Sequence, residues 1–155
     1  MLDHPATIAL CLDKALVHRM LVAKGVPVPD YVDLDSSDRV AGRTFVAGAP
    51  GRCVVKPADG AGGGGVTCSV ESADDLARAW LAAAQLSSRV LVERAVPGAE
   101  YRLLFLDGRL LDVVHRTPPT VRGDGRSRVG DLIAAENQRR LDERSDPPAP
   151  RRPRV

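Results

Sequence analysis

The residues with the clearest chemical potential are a run of glycines and the lysine that precedes it. Five of the seven residues from Asp59 to Gly65 are glycine, and Lys56 ends the apolar segment just upstream. Backbone N–H groups without side chains in the way can approach a phosphate closely, and a lysine placed here can reach an α- or β-phosphate. The loop is neither a GxxxxGK[ST] nor a GxGxxG nucleotide motif, because a strand and not a helix is predicted after it. The spacing favours a phosphate site, with a mobile hairpin tip and a solvated strand end as the alternatives.

A second polar cluster occupies residues 92–100, VERAVPGAE. Glu93 and Arg94 end an apolar strand, and the turn at Pro97 and Gly98 leads to Glu100. Carboxylates at this spacing can accept hydrogen bonds from an exocyclic amine and from ribose hydroxyls, and backbone leaving a strand can bind an adenine edge. On spacing alone, two surface glutamates explain the pattern equally well.

The elements that must position these residues are predicted to form an α+β fold with an antiparallel sheet. Asp107–Gly108 is a two-residue hairpin turn, which sets Glu100 opposite His115 and places Arg116 on the other face unless a bulge intervenes. Ser72 and Asp75 form a capping signal before an alanine-rich helix. The sequence predicts helices at 13–24, from 72 to about 86 and near 129–140, and strands at 44–47, 52–56, 66–70, 90–94, 100–106 and 109–116.

Composition excludes several classes of protein. With 44% hydrophobic and 27% charged residues the chain can build a core, and it has no apolar run of bilayer length. A net charge of +2 is too small to indicate a nucleic-acid partner by itself, and only five aromatic residues disfavour the binding of single-stranded nucleic acid by base stacking. Cys11, Cys53 and Cys68 are too few and too dispersed for a disulfide framework or a zinc site, and the start of the chain lacks a signal-peptide pattern, so a cytoplasmic protein is expected.

Four motifs follow one another along the chain: DKALVHRMLVAKGVPVP, VVKPADGAGGGGVT, VLVERAVPGAEYRLLFLDG and VVHRTPPTVRGDGRSRVGDLI. In this order they resemble the ATP-grasp superfamily of carboxylate–amine ligases, in the branch of cyanophycin synthetase, D-alanine–D-alanine ligase and bifunctional glutathione synthetase. The likeness covers about residues 5–140. It implies an ATP-grasp fold with an incomplete core subdomain, ATP and Mg²⁺ as cofactors, and peptide-bond formation through an acyl phosphate.

The same resemblance implies roles for individual residues. Lys56 is expected at the nucleotide phosphates, and the flap over the β- and γ-phosphates is expected at Gly62, Gly63, Gly64 and Gly65. Adenine is expected at Glu93, Arg94 and Val96, the latter two through backbone groups, and the ribose hydroxyls at Glu100. Arg102 and Arg116 are expected near phosphates or substrate.

The chain departs from the family pattern at two places in these motifs. A basic residue usually stands where Gly64 is found. The family's DKxxTK helix here has Val17 and His18 at its last two positions, and a histidine with an unperturbed pKa of about 6.5 makes a pH-dependent phosphate contact. Lys14, one turn earlier, is a possible substitute, and a surface position for His18 is the alternative.

The family's magnesium ligands, an Asp and a later Glu-x-Asn, have no match, since Glu136 and Asn137 are adjacent. The ligands are therefore expected outside this chain, which alone is expected to be inactive and to be a fragment acting on unknown carboxylate and amine substrates. The predicted domains are a remnant (1–12), a nucleotide-binding lid (13–98), the start of the core (99–143) and a disordered tail (144–155). The alternatives are a non-catalytic partner or regulatory module and, least favoured, a nucleic-acid binder. A second chain that supplies the missing core is a possible partner of the fragment, and neither a nucleic-acid nor a membrane partner is expected.

Overall fold

A computed structural model describes residues 4–145 of the chain, and side chains up to residue 142. The chain divides between Pro97 and Gly98 into two compact units. In the first unit the elements are α1 (Pro5–Leu12), α2 (Lys14–Ala23), β1 (Tyr31–Asp35), α3 (Arg39–Ala47), β2 (Cys53–Pro57), β3 (Thr67–Val70), α4 (Ala73–Ala84) and β4 (Arg89–Arg94). In the second they are β5 (Glu100–Leu106), β6 (Arg109–Arg116) and α5 (Val129–Ser145).

The first unit is built on an antiparallel sheet of strand order β1-β4-β2-β3. Its core lies on one face, where Val55 and Val92 pack against α3 and α4, with Leu76 and Trp80 buried among them. The indole N–H of Trp80 donates to the Ser36 carbonyl at 2.8 Å, which satisfies its polar atom. On the other face a smaller cluster joins Ala15 of α2 to Leu91 and Ala58.

The predicted strand at Thr44–Ala47 is wrong, because these residues end helix α3. Asp38 caps this helix by accepting from the Ala41 N–H at 3.3 Å. β-branched residues and a glycine weaken the helical propensity of the segment, but Gly42 and Val46 are one turn apart and both are buried against the core. Tertiary packing of this stripe therefore overrides the local preference. Strand β1 is not among the strands that the sequence predicts.

Other predicted elements agree with the structure. Asp13 caps α2, its carboxylate accepting from the Leu16 N–H at 2.8 Å. Ser72 and Asp75 form the predicted capping box at the start of α4, with hydrogen bonds in both directions. Helix α5 continues to Ser145, past its predicted end near residue 140. Residues 1–3 and 146–155, which include most of the predicted tail, lie outside the described residues.

Candidate nucleotide site

The candidate site lies on the sheet face that carries α2, where β2 and β4 are neighbours. Lys56 pairs with Leu91 across the two strands, so it shares a face with Glu93, two residues further along β4. The alternation of the strands puts Val55 and Val92 into the core on the opposite face. The pleat alone therefore brings a cation and a carboxylate together next to helix α2.

Lys56 and Glu93 form a nearly buried ion pair. Lys56 Nζ lies 2.5 Å from Glu93 Oε1, and the two side chains are only 17% and 12% exposed. Of the charged residues in the described part of the chain, only Glu93 is buried. Its second oxygen, Oε2, is also buried and has no hydrogen-bond partner among residues 4–145. A buried carboxylate with one open acceptor is costly unless a ligand completes it.

His18 projects from α2 toward the same carboxylate. Its Nε2 is 3.8 Å from Glu93 Oε2, and its ring meets that of Tyr31 edge-on at 4.7 Å. Burial lowers the pKa of His18, the Glu93 carboxylate opposes that effect, and the Lys56 ammonium adds to the lowering. His18 is therefore neutral near pH 7. The surface alternative for this residue is wrong, since its side chain is only 14% exposed.

Lys14 also lies in this region, but its ammonium is bound to main-chain oxygens of the segment that leads into the glycine loop. Its helix is anchored by Arg89, which joins Asp13 at the start of α2 to Asp33 on β1. No local sequence pattern indicates this charged network, because its members are spread over 76 positions.

Several glycines of the loop are required by its backbone conformation. Gly62, Gly63 and Gly65 have φ values of 79°, 78° and 66°, in the left-handed region that other residues rarely adopt. Gly65 is also confined, since a Cβ there would lie 2.9 Å from the Ala82 carbonyl oxygen. Gly64 differs from these three: its φ is not positive, and a Cβ would approach only the end of the Leu86 side chain, at 3.3 Å.

The segment at the end of β4, residues 94–96, already uses two of its backbone N–H groups in internal hydrogen bonds. The Arg94 N–H donates to the Asp30 carbonyl, and the Ala95 N–H donates to the Arg52 carbonyl, both at 2.9 Å. The Arg94 side chain pairs with Asp30 at 3.2 Å. The backbone N–H of Arg94 is therefore already donated and is not available to an adenine edge, whereas its buried side-chain Nε has no hydrogen-bond partner among residues 4–145. The exposed Val96 follows near the end of the unit.

The second unit holds the remaining predicted residues on its hairpin. The simple register is wrong, because a bulge between Leu104 and Phe105 shifts the pairing and sets Glu100 opposite Arg116, not His115. Arg116 Nη1 donates to Glu100 Oε1. Arg102 lies two residues along the strand from Glu100, so the three share one face of the hairpin.

Residues 4–145 contain neither a metal-binding cluster nor a membrane-spanning helix. No group of three or more His, Cys, Asp or Glu side chains in this range is arranged to hold a metal ion, so the donors present there do not fit Mg²⁺. No helix in the same range has the length and apolar character needed to cross a bilayer.

Comparison with known proteins finds similar sequences among cyanophycin synthetases and D-alanine–D-alanine ligases. No protein-family model matches the chain. It is 38% identical to a cyanophycin synthetase of Nostoc sp. over 132 residues, which is 84% of this chain and 14% of that protein. It is 36% identical to a D-alanine–D-alanine ligase of Gloeobacter violaceus over 111 residues, 71% of this chain and 36% of that protein. The chain thus spans a minor part of the relatives it matches.

Solved structures show the same fold. The D-alanyl-alanine synthetase A of Vibrio cholerae superimposes with a TM-score of 0.60 at 20% identity, over 85% of this chain and 46% of that one. The D-alanine–D-alanine ligase of Helicobacter pylori gives 0.58 at 20% identity, over 86% of this chain and 41% of that one. A D-alanine–D-alanine ligase of Bacillus anthracis complexed with ATP gives 0.55 at 25% identity, over 72% of this chain and 36% of that one.

Proposed function

The chain belongs to the ATP-grasp ligases, and from that premise we propose that its first unit binds ATP on the sheet face of Lys56 and Glu93 as part of a carboxylate–amine ligase. The observation that carries the proposal is the buried Glu93 carboxylate: one oxygen is bonded to Lys56, and the other has no hydrogen-bond partner among residues 4–145. An exocyclic amine is a donor that would complete it.

Each residue would contribute through the groups that remain available. Lys56 uses one N–H on Glu93 and has two more to offer to phosphate oxygens. Gly62 and Gly63 combine a left-handed backbone with open surroundings, so that an anion can approach the loop backbone there. His18 is neutral and adds no positive charge near pH 7, unlike the lysine usual in the family.

The roles proposed for the segment after β4 and for the second unit rest on the likeness to the family. Val96 is assigned to the adenine edge through its backbone, and Arg94 only through its carbonyl, because its N–H is already donated. Glu100 is assigned to the ribose hydroxyls, and Arg102 and Arg116 to phosphates or substrate. The Glu100–Arg116 pair would have to share its carboxylate with the ribose.

The chemistry proposed for the complete ligase is transfer of the ATP γ-phosphoryl group to a carboxylate. A carboxylate oxygen forms a bond to the γ-phosphorus, which gives the acyl phosphate. The bond from that phosphorus to the β,γ-bridging oxygen breaks, and ADP leaves. An amine then attacks the acyl carbon, phosphate leaves, and a proton is lost from the nitrogen. This chain's part is to hold the triphosphate in place, which is how proteins contribute most to phosphoryl transfer.

Isothermal titration with ATP plus Mg²⁺, and with GTP plus Mg²⁺, tests the proposal. We expect ATP binding that falls at least tenfold in Lys56→Ala and in Glu93→Ala, and weaker binding of GTP, whose purine carries a carbonyl where adenine has its amine. Glu71→Ala removes an exposed carboxylate of the same unit and is the matched control. A folded protein that binds no ATP at millimolar concentration would instead favour the non-catalytic module.

A further inference from the structure

Lys14 makes an unusual set of contacts with the root of the glycine loop. Its backbone N–H donates to the Ala58 carbonyl at 2.8 Å. Its ammonium donates to the Pro57, Asp59 and Gly60 carbonyls at 3.0, 3.1 and 3.0 Å. One residue of α2 therefore holds four successive carbonyls, 57 to 60, of a different part of the chain.

These contacts use the whole donor capacity of the side chain. An ammonium has three N–H donors and no acceptor, and each is directed at one of the three carbonyls. Burial lowers the pKa of Lys14, and repulsion from Lys56 lowers it further. None of its N–H groups is left for a phosphate unless the loop root is released. The expectation that Lys14 might replace His18 as a phosphate contact therefore conflicts with the bonds that it makes.

The four carbonyls lie between the two parts of the candidate site. Lys56 immediately precedes them, and Gly60, with a φ of 89°, begins the glycine loop. Beyond this point a Cβ on Gly62 or Gly63 would meet no atom within 4 Å, so the tip is open while the root is bonded. Fixing the root sets where the loop starts relative to the Lys56 ammonium.

We propose that Lys14 is a positioning residue that clamps the root of the glycine loop, residues 57–60, so that motion is confined to its tip. Asp13 and Arg89 hold the start of α2 and so hold Lys14. The clamp itself follows from the nucleotide-free contacts, and its consequence for ATP rests on the proposed function.

Lysine suits this task better than arginine. Three carbonyls around one nitrogen match a tetrahedral ammonium, whereas a guanidinium presents its donors in a plane. A role that required only positive charge near phosphates would be preserved in Lys14→Arg, while the clamp would not. The conservative variant thus separates the two roles.

The test is ¹⁵N relaxation of the loop glycines in the full chain without nucleotide. We expect an order parameter near about 0.85 for Gly60 in the wild type and below about 0.6 in Lys14→Met and in Lys14→Arg. Lys24→Met removes an exposed lysine from the end of the same helix and should leave Gly60 unchanged. An unchanged Gly60 in folded Lys14→Met, or full rescue by arginine, would overturn the proposal.

A measurement on the unmutated protein covers the case in which Lys14→Met does not fold. We expect ammonium protons of Lys14 to exchange with water at least tenfold more slowly than those of Lys24, and to remain slow when ATP is added. Equal exchange rates would refute the clamp. If wild-type protein binds no ATP, the proposed function fails, whereas the Gly60 and ammonium readouts still decide on the clamp.

Discussion

Removing Lys56 tests whether the buried pair is as strongly coupled as its geometry indicates. Unit charges 2.5 Å apart attract by about 7 kcal/mol at an effective dielectric constant of about 20, and desolvation of several kcal/mol per ion opposes this. Breaking a buried pair from one side costs about 3–5 kcal/mol, because a buried charge is left alone. We therefore expect Lys56→Met to lower the free energy of unfolding by about 3 kcal/mol.

The assay is a double-mutant cycle in urea at pH 7.5, with Lys56→Met, Glu93→Gln and the double variant. A coupling energy of about 2 kcal/mol or more is expected, since the double variant no longer strands a charge. The exposed Arg52–Glu71 pair, with a similar separation of 2.6 Å and side chains 64% and 57% exposed, is the control. Its coupling should fall between about 0.2 and 1 kcal/mol.

The result that would refute the reasoning is equal coupling in the two pairs, since burial is the main difference between them. A second readout is the His18 ring, followed by NMR titration. In Lys56→Met the pKa of His18 should rise, because the repulsion from Lys56 is removed while the attraction to Glu93 remains. A His18 pKa that did not move, or that fell, would mean that Lys56 and His18 do not share one carboxylate.

Three more outcomes are expected from substitution. Gly42→Ala should cost about 1–2 kcal/mol in urea unfolding although alanine favours helices, because its Cβ would lie 2.7 Å from the buried Trp80 ring; a stabilised variant would contradict the packing. Ser69→Gly should raise stability by up to about 1 kcal/mol, since Ser69 has a φ of 62°, and a lower urea midpoint would count against that strain. His18 has a lowered folded pKa, so its contribution to stability is complete above pH 6.5 and declines as the pH falls below it. His18→Gln should weaken the pH dependence of the urea midpoint between pH 7.5 and 5.5. An unchanged pH dependence would exclude His18 as its cause.

How far the sequence predicted the fold depended on how local the determinants were. The Asp107–Gly108 hairpin was predicted correctly because the two-residue turn requires positive φ, and both residues have it. Helix α3 was missed because its formation depends on packing against Trp80, which lies more than thirty positions away. The bulge beyond Leu104 was also invisible, since no turn residue marks it, and it alone changes the partner of Glu100.

The candidate site was predictable in its residue types but not in its bonding. Strand alternation and motif order pointed to Lys56 and Glu93, and the structure pairs them on one face. The protonation state of His18 depends on its burial between α2 and the sheet, and no sequence pattern indicates that burial. Lys14 was considered only as a possible substitute at the phosphates, and its donors are directed at carbonyls that only the tertiary fold brings within reach.

The use of lysine in this chain now has a physical explanation. Only three of its 22 basic residues are lysines, and two of them, Lys14 and Lys56, lie on the same face of the sheet. Each serves where a compact tetrahedral donor is needed: Lys14 among three carbonyls, and Lys56 beside one carboxylate with two donors to spare. Arginine could supply the charge at both places but would impose a planar set of donors. The chain therefore keeps lysine where the direction of the hydrogen bonds, and not the charge alone, sets the geometry of the loop.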